Sequence, residues 1–124
     1  MKIKRFEDLE VWQLARKLVK QIYELSRRTK LSKDFGLRNQ LQRSAVSIMS
    51  NIAEGFERKT KKEFIQFLNI AKASSGELRS QLYVTLDLEY LDKVTFENVY
   101  NLCEKISKSI AGFIKYLKSA NFQS

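Results

Sequence analysis

Histidine and proline are absent from the 124 residues, cysteine occurs once and glycine four times. Without histidine the chain has no side chain that ordinarily exchanges protons near neutral pH, and no E-x-x-H element of the di-iron bundles. The lone Cys103 excludes an intramolecular disulfide, and with no histidine it excludes zinc sites of the usual Cys/His spacing. Its apolar helical position marks it as a small core residue in a reducing compartment. No Gly-rich phosphate loop is present. No run approaches the roughly 18 apolar residues of a membrane span, and the opening MKIKRFEDLE turns acidic at once. These absences set the expectations of a cytoplasmic, non-enzymatic protein with no metal, cofactor, membrane or small-molecule partner.

With so few helix breakers, and no Pro-rich or Gly/Ser-rich linker, residues 1–124 read as one all-α domain. Lys and Arg number 23 against 14 Asp and Glu, a formal charge of +9 that points to an anionic partner, nucleic acid first. A first helix is expected from residue 7 to about 27, where Val11, Trp12, Ala15, Leu18, Val19, Ile22 and Leu25 recur at three- and four-residue spacing. RRTKLSKD is the first connection, with Ser32 as the cap of the next helix. Thr60 and Glu63 form a T-x-x-E capping box before a third helix that buries Phe64, Phe67, Leu68, Ala71, Leu78, Leu82 and Leu86. That helix has a second apolar face of Ile70, Ala73, Val84 and Leu88, which predicts self-association. After YLDK, Thr95 is expected to cap a fourth helix with Val99, Leu102, Cys103, Ile106, Ile110, Phe113 and Leu117 inward and lysines outward. Four helices with short connections predict an antiparallel up-down-up-down bundle.

The second helix, FGLRNQLQRSAVSIMSNIAEG at 35–55, carries two messages. At about 100° per residue, Leu37, Leu41, Ala45, Ile48, Met49 and Ile52 share one arc, widened by Val46 and Ala53. Gln40, Arg43, Ser47, Asn51 and Glu54 form a polar stripe beside it. This mixture of amide, hydroxyl, guanidinium and carboxylate predicts a hydrogen-bonded network between helices or subunits, joined by Ser74, Glu77 and Gln81 from the third helix. Arg43 is expected to pair with Glu54 or Glu77. Gly55 is a candidate left-handed stop after Glu54.

The chain resembles the 23S rRNA intervening-sequence, or S23-type, proteins. The resemblance rests on F-x-D-L-x-V-W-Q at Phe6, Asp8, Leu9, Val11, Trp12 and Gln13, and on Q-x-x-R-x-x-x-S-x-x-x-N-I-A-E-G from Gln40 through Gly55. A third-helix signature follows at Ser74, Ser75, Gly76, Glu77, Leu78, Gln81 and Leu82, with Ala73 where the family commonly has glycine. It implies a four-helix bundle assembling as a ring-like homopentamer without catalysis. A further similarity, to the accessory protein of diversity-generating retroelements, implies nucleic acid and a reverse transcriptase as partners.

From the residues themselves, a homo-oligomer would multiply each chain's charge into a positive field that contacts phosphates without reading bases. Candidate contacts are Arg16, Lys17 and Lys20; Arg27, Arg28 and Lys30; and Arg58, Lys59, Lys61 and Lys62. The alternative is a scaffolding oligomer that binds a protein.

Overall fold

In a computed structural model, residues 3–119 are described, and among them are four α-helices, two short 3-10 turns and no strand. The first turn, Phe6–Asp8, is followed by Leu9 in extended backbone (φ −73°, ψ 123°), and only then by α1, Glu10–Arg28. The helix expected from residue 7 is therefore split at Leu9, whose side chain is buried and seals that end of the core. Phe6 meets Trp12 edge-on at 5.1 Å, so Trp12 packs as an anchor. The core face of α1 consists of Val11, Ala15, Leu18, Ile22 and Leu25, at the spacing the sequence predicts.

A second turn, Lys30–Lys33, leads into α2, Phe35–Phe56. The cap of α2 is Asp34, whose Oδ1 accepts from the Leu37 amide at 3.1 Å. Ser32, the expected cap, instead offers its carbonyl to the Arg38 guanidinium at 3.0 Å. Asp34 wins because its second oxygen is also used: Oδ2 accepts from the Tyr90 hydroxyl at 3.0 Å, tying the start of α2 to the connection between the last two helices. That hydrogen bond pushes the Tyr90 hydroxyl pKa up.

The Thr60–Glu63 signal holds. Thr60 Oγ1 accepts from the Glu63 amide at 3.1 Å and donates to its carboxylate at 3.1 Å, opening α3, Lys61–Asp87. Glu89 takes a left-handed conformation (φ 59°) in the next turn, and Leu91 is buried. The last helix, α4, spans Lys93–Lys118. Its cap is Asp92, which accepts from the Thr95 amide at 2.7 Å, so Thr95 is the residue capped and not the cap.

α2 packs most extensively on α3; α3 packs on α4, and α1 on both α2 and α4, closing a four-membered layer around one core. Leu18, Ile22, Leu41, Ile48, Ile52, Leu68, Leu78, Leu82, Ile106 and Ile110 are fully buried there. Ser44 meets Glu77, Ser47 meets Ser74, and Gly55 lies under Phe64 and Phe67. Gly55 is not a left-handed stop: it has no positive φ and sits inside α2, where an added Cβ would lie 2.8 Å from the Phe67 Cβ. Its role is close approach of two helices. Cys103 is buried and donates to the Ser75 carbonyl at 3.3 Å, and burial pushes its thiol pKa up to about 12.

Candidate functional site

The polar stripe of α2 becomes a seam with α3. Ser47 and Ser74 join their hydroxyls at 2.8 Å, and Asn51 Nδ2 donates to the Ser47 carbonyl at 2.8 Å and to its hydroxyl at 3.0 Å. One turn earlier, the buried Ser44 donates to Glu77 Oε1 at 2.9 Å. These side chains are short, which lets the helices come close while their hydroxyls remain satisfied. Ser44 lies outside the predicted stripe; its spacing of four from Gln40 was the available signal, masked by its place beside Ala45 inside the apolar arc.

The expected partner of Arg43 is corrected. Among the described residues Arg43 has no carboxylate within ion-pairing distance: Glu54 is held by Arg58 at 3.8 Å and Glu77 by Ser44. Arg43 stands with Gln40, Ser47, Glu77 and Gln81 around an open cleft of about 440 Å³. Gln81 Oε1 is buried there without a hydrogen-bond partner. The cleft thus presents an exposed guanidinium and a carboxylate to a partner surface, beside a buried acceptor with no hydrogen-bond partner among the described residues.

The structure does not gather the predicted cations into one patch. Arg16 lies over the Trp12 ring at 5.8 Å. Lys17, Lys20 and Arg27 project from α1 into solvent, with no ion pair among the described residues, as does Lys30 in the turn beyond it. Arg27 and Arg28 occupy the last turn of α1, where the helix dipole favours cations, and Arg28 also acts on Asp92 across the fold. In the third cluster Arg58 has structural work: it pairs with Glu54 at 3.8 Å and Glu63 at 3.7 Å and covers the Phe67 ring at 4.7 Å. The pairs are exposed and contribute little each, but together they pin the α2–α3 turn. Lys59 and Lys62 remain exposed, with Lys61, the first residue of α3, beside them. No helix among the described residues is long and apolar enough to cross a membrane.

Fold and seam define a class: basic all-α proteins of four helices, in which the second and third are joined by a line of small polar side chains. Within that class the chain belongs to the 23S rRNA-intervening sequence protein family, which matches residues 7–112. It is similar to a Bacteroides thetaiotaomicron protein of unknown function from the S23 ribosomal protein family, solved by crystallography at 1.70 Å. The two share 27% identity and a TM-score of 0.78, over 85% of this chain and 98% of that one. No curated protein matches the chain.

Proposed function

We propose that the protein is a non-catalytic, basic homo-oligomer of antiparallel four-helix bundles that binds the phosphate backbone of RNA or DNA with little sequence preference. It would serve as an accessory to a ribosomal RNA insertion or a retroelement. One observation carries this reading: Lys17, Lys20, Arg27 and Lys30 stand exposed, with no ion pair among the described residues, in a chain of net charge +9. A purely structural use of these cations would pair them with the chain's own carboxylates. Unpaired, they keep their field for an outside anion.

The antiparallel arrangement is supported by the reversed pairing along α2 and α3 and by connections of only four and five residues on either side of α3. Self-association, as a ring-like pentamer, is supported by Ile70, Val84 and Leu88, which keep 48%, 42% and 50% of their surface on one side of α3. The same apolar side favours the second reading, a scaffold for a protein partner. Fluorescence anisotropy of labelled RNA and DNA over a salt series separates the two readings. We expect log affinity to fall linearly and steeply with log salt; no binding at low salt would overturn nucleic-acid binding and leave the scaffold.

A further inference from the structure

The cations are divided unequally among the helices. α1 carries five Lys or Arg against two Glu, and α4 five Lys against two Glu. α2 carries two Arg and one Glu, and α3 four cations against three carboxylates. No lysine occurs from 34 to 58 or from 73 to 92. The molecule therefore has a lysine-rich side, where α1 meets α4, and a lysine-poor side, where α2 meets α3. Depletion of lysine marks surfaces that are desolvated in protein contacts, while a lysine-lined surface suits a solvated polyanion.

The α1–α4 junction is also grooved. At one end a cleft of about 280 Å³ is lined by Gln21, Glu24 and Arg28 from α1 and by Thr95 and Asn98 from α4. At the other, a cleft of about 320 Å³ is lined by Glu10 and Val11 facing Ser109 and Phe113. Between these two clefts lie Lys17 on α1 and Lys105 on α4. On α4 alone, Lys105 and Lys108 edge a further depression of about 460 Å³ with Asn101, Glu104 and Ser109. Glu104, the carboxylate nearest these lysines in sequence, is occupied by Lys108 at 3.8 Å. Lysines with interspersed amides and a hydroxyl are the groups that hold phosphate and sugar oxygens without reading bases.

We propose, resting on the nucleic-acid reading above, that the α1–α4 groove is the track for a polynucleotide backbone, with Lys17, Arg28 and Lys105 as its phosphate contacts. The lysine-poor α2–α3 side is left for protein contact. The test is anisotropy of a labelled single-stranded RNA and a DNA duplex against the full chain, comparing Lys17→Glu/Lys105→Glu with Lys33→Glu/Lys72→Glu. Both pairs change the charge equally, and Lys33 and Lys72 lie away from the groove lining. For the groove pair we expect at least about a tenfold loss of affinity and a salt slope shallower by about two; the control should stay within about threefold of the wild type. Equal losses in both pairs would show that only net charge matters and would overturn the groove, as would unchanged binding by the first pair. Wild-type protein that binds neither probe at low salt would overturn the nucleic-acid reading itself, a distinguishable result. Circular dichroism and light scattering confirm fold and mass. Should the reversal prevent folding, Lys17→Gln/Lys105→Gln must give the same fall of about two in slope, and a slope unchanged from the wild type overturns the groove.

Discussion

At the scale of single residues, Gly55 and Gly112 make a controlled comparison. Both lie in helices, so replacing either by alanine gains about 1 kcal/mol in helix propensity. At Gly55 the new Cβ would lie 2.8 Å from the Phe67 Cβ and 3.2 Å from the Phe64 carbonyl oxygen, whereas nothing lies within 4 Å of the Cβ at Gly112. Overpacking of this kind costs about 1–3 kcal/mol, more than the propensity returns. Gly55→Ala should thus lower the unfolding free energy in a denaturant titration, and Gly112→Ala should raise it by up to about 1 kcal/mol. Equal effects at both positions would contradict the close crossing. The sequence alone does not distinguish these glycines in this way: what separates them is the pair of phenylalanines that α3 brings over one of them.

Among elements, the buried faces were legible because 3.6-residue periodicity is local: every residue predicted to line the core of α1 is buried or half-buried. The starting points of α2 and α4 were not. Ser32 and Asp34 both satisfy the local chemistry of a cap, and the choice is made by Tyr90, 56 positions away, which bonds the second oxygen of Asp34. For α4, Asp92 and Thr95 are both capping types, and Asp92 holds the Thr95 amide. The Asp92 carboxyl lies below its ordinary pKa because of the Thr95 backbone amide first, the Thr95 hydroxyl next and Arg28 after them. A depressed folded pKa gives a contribution that is fully present above the unfolded value of about 3.9 and is lost as pH falls through the folded one. Asp92→Asn keeps the cap without the titration. Acid titration by circular dichroism should then show the wild type's advantage over Asp92→Asn constant above about pH 5 and disappearing below about pH 4. An advantage that persists at low pH would mean that the carboxylate charge is not what holds the start of α4.

For the whole molecule, the α2–α3 side carries groups without a protein partner among the described residues. Arg43 is unpaired among the described residues, Gln81 Oε1 is buried and unbonded, and Ile70, Val84 and Leu88 are exposed on the neighbouring surface of α3. The polar stripe was legible as a pattern of residue types, but its split was not. Ser44, Ser47, Ser74 and Asn51 are satisfied within the chain because short side chains reach only across a helix contact, while the longer Gln40, Arg43 and Gln81 border the open cleft. Self-association through this side makes a definite claim about mass. Light scattering should give a multiple of 14.6 kDa, with five copies reaching about 73 kDa. Ile70→Lys/Val84→Lys places charge on that surface without touching the core, so each folded chain should lose no more than about 0.5 kcal/mol per site. The helical signal should be retained while the mass falls to 14.6 kDa. A wild-type mass of one chain would end the oligomer reading, and a double variant that still assembles would move the interface away from this side of α3. If the variant is monomeric and still binds RNA with a shallower salt dependence, assembly and phosphate contact lie on opposite sides of the bundle, as the proposed groove predicts.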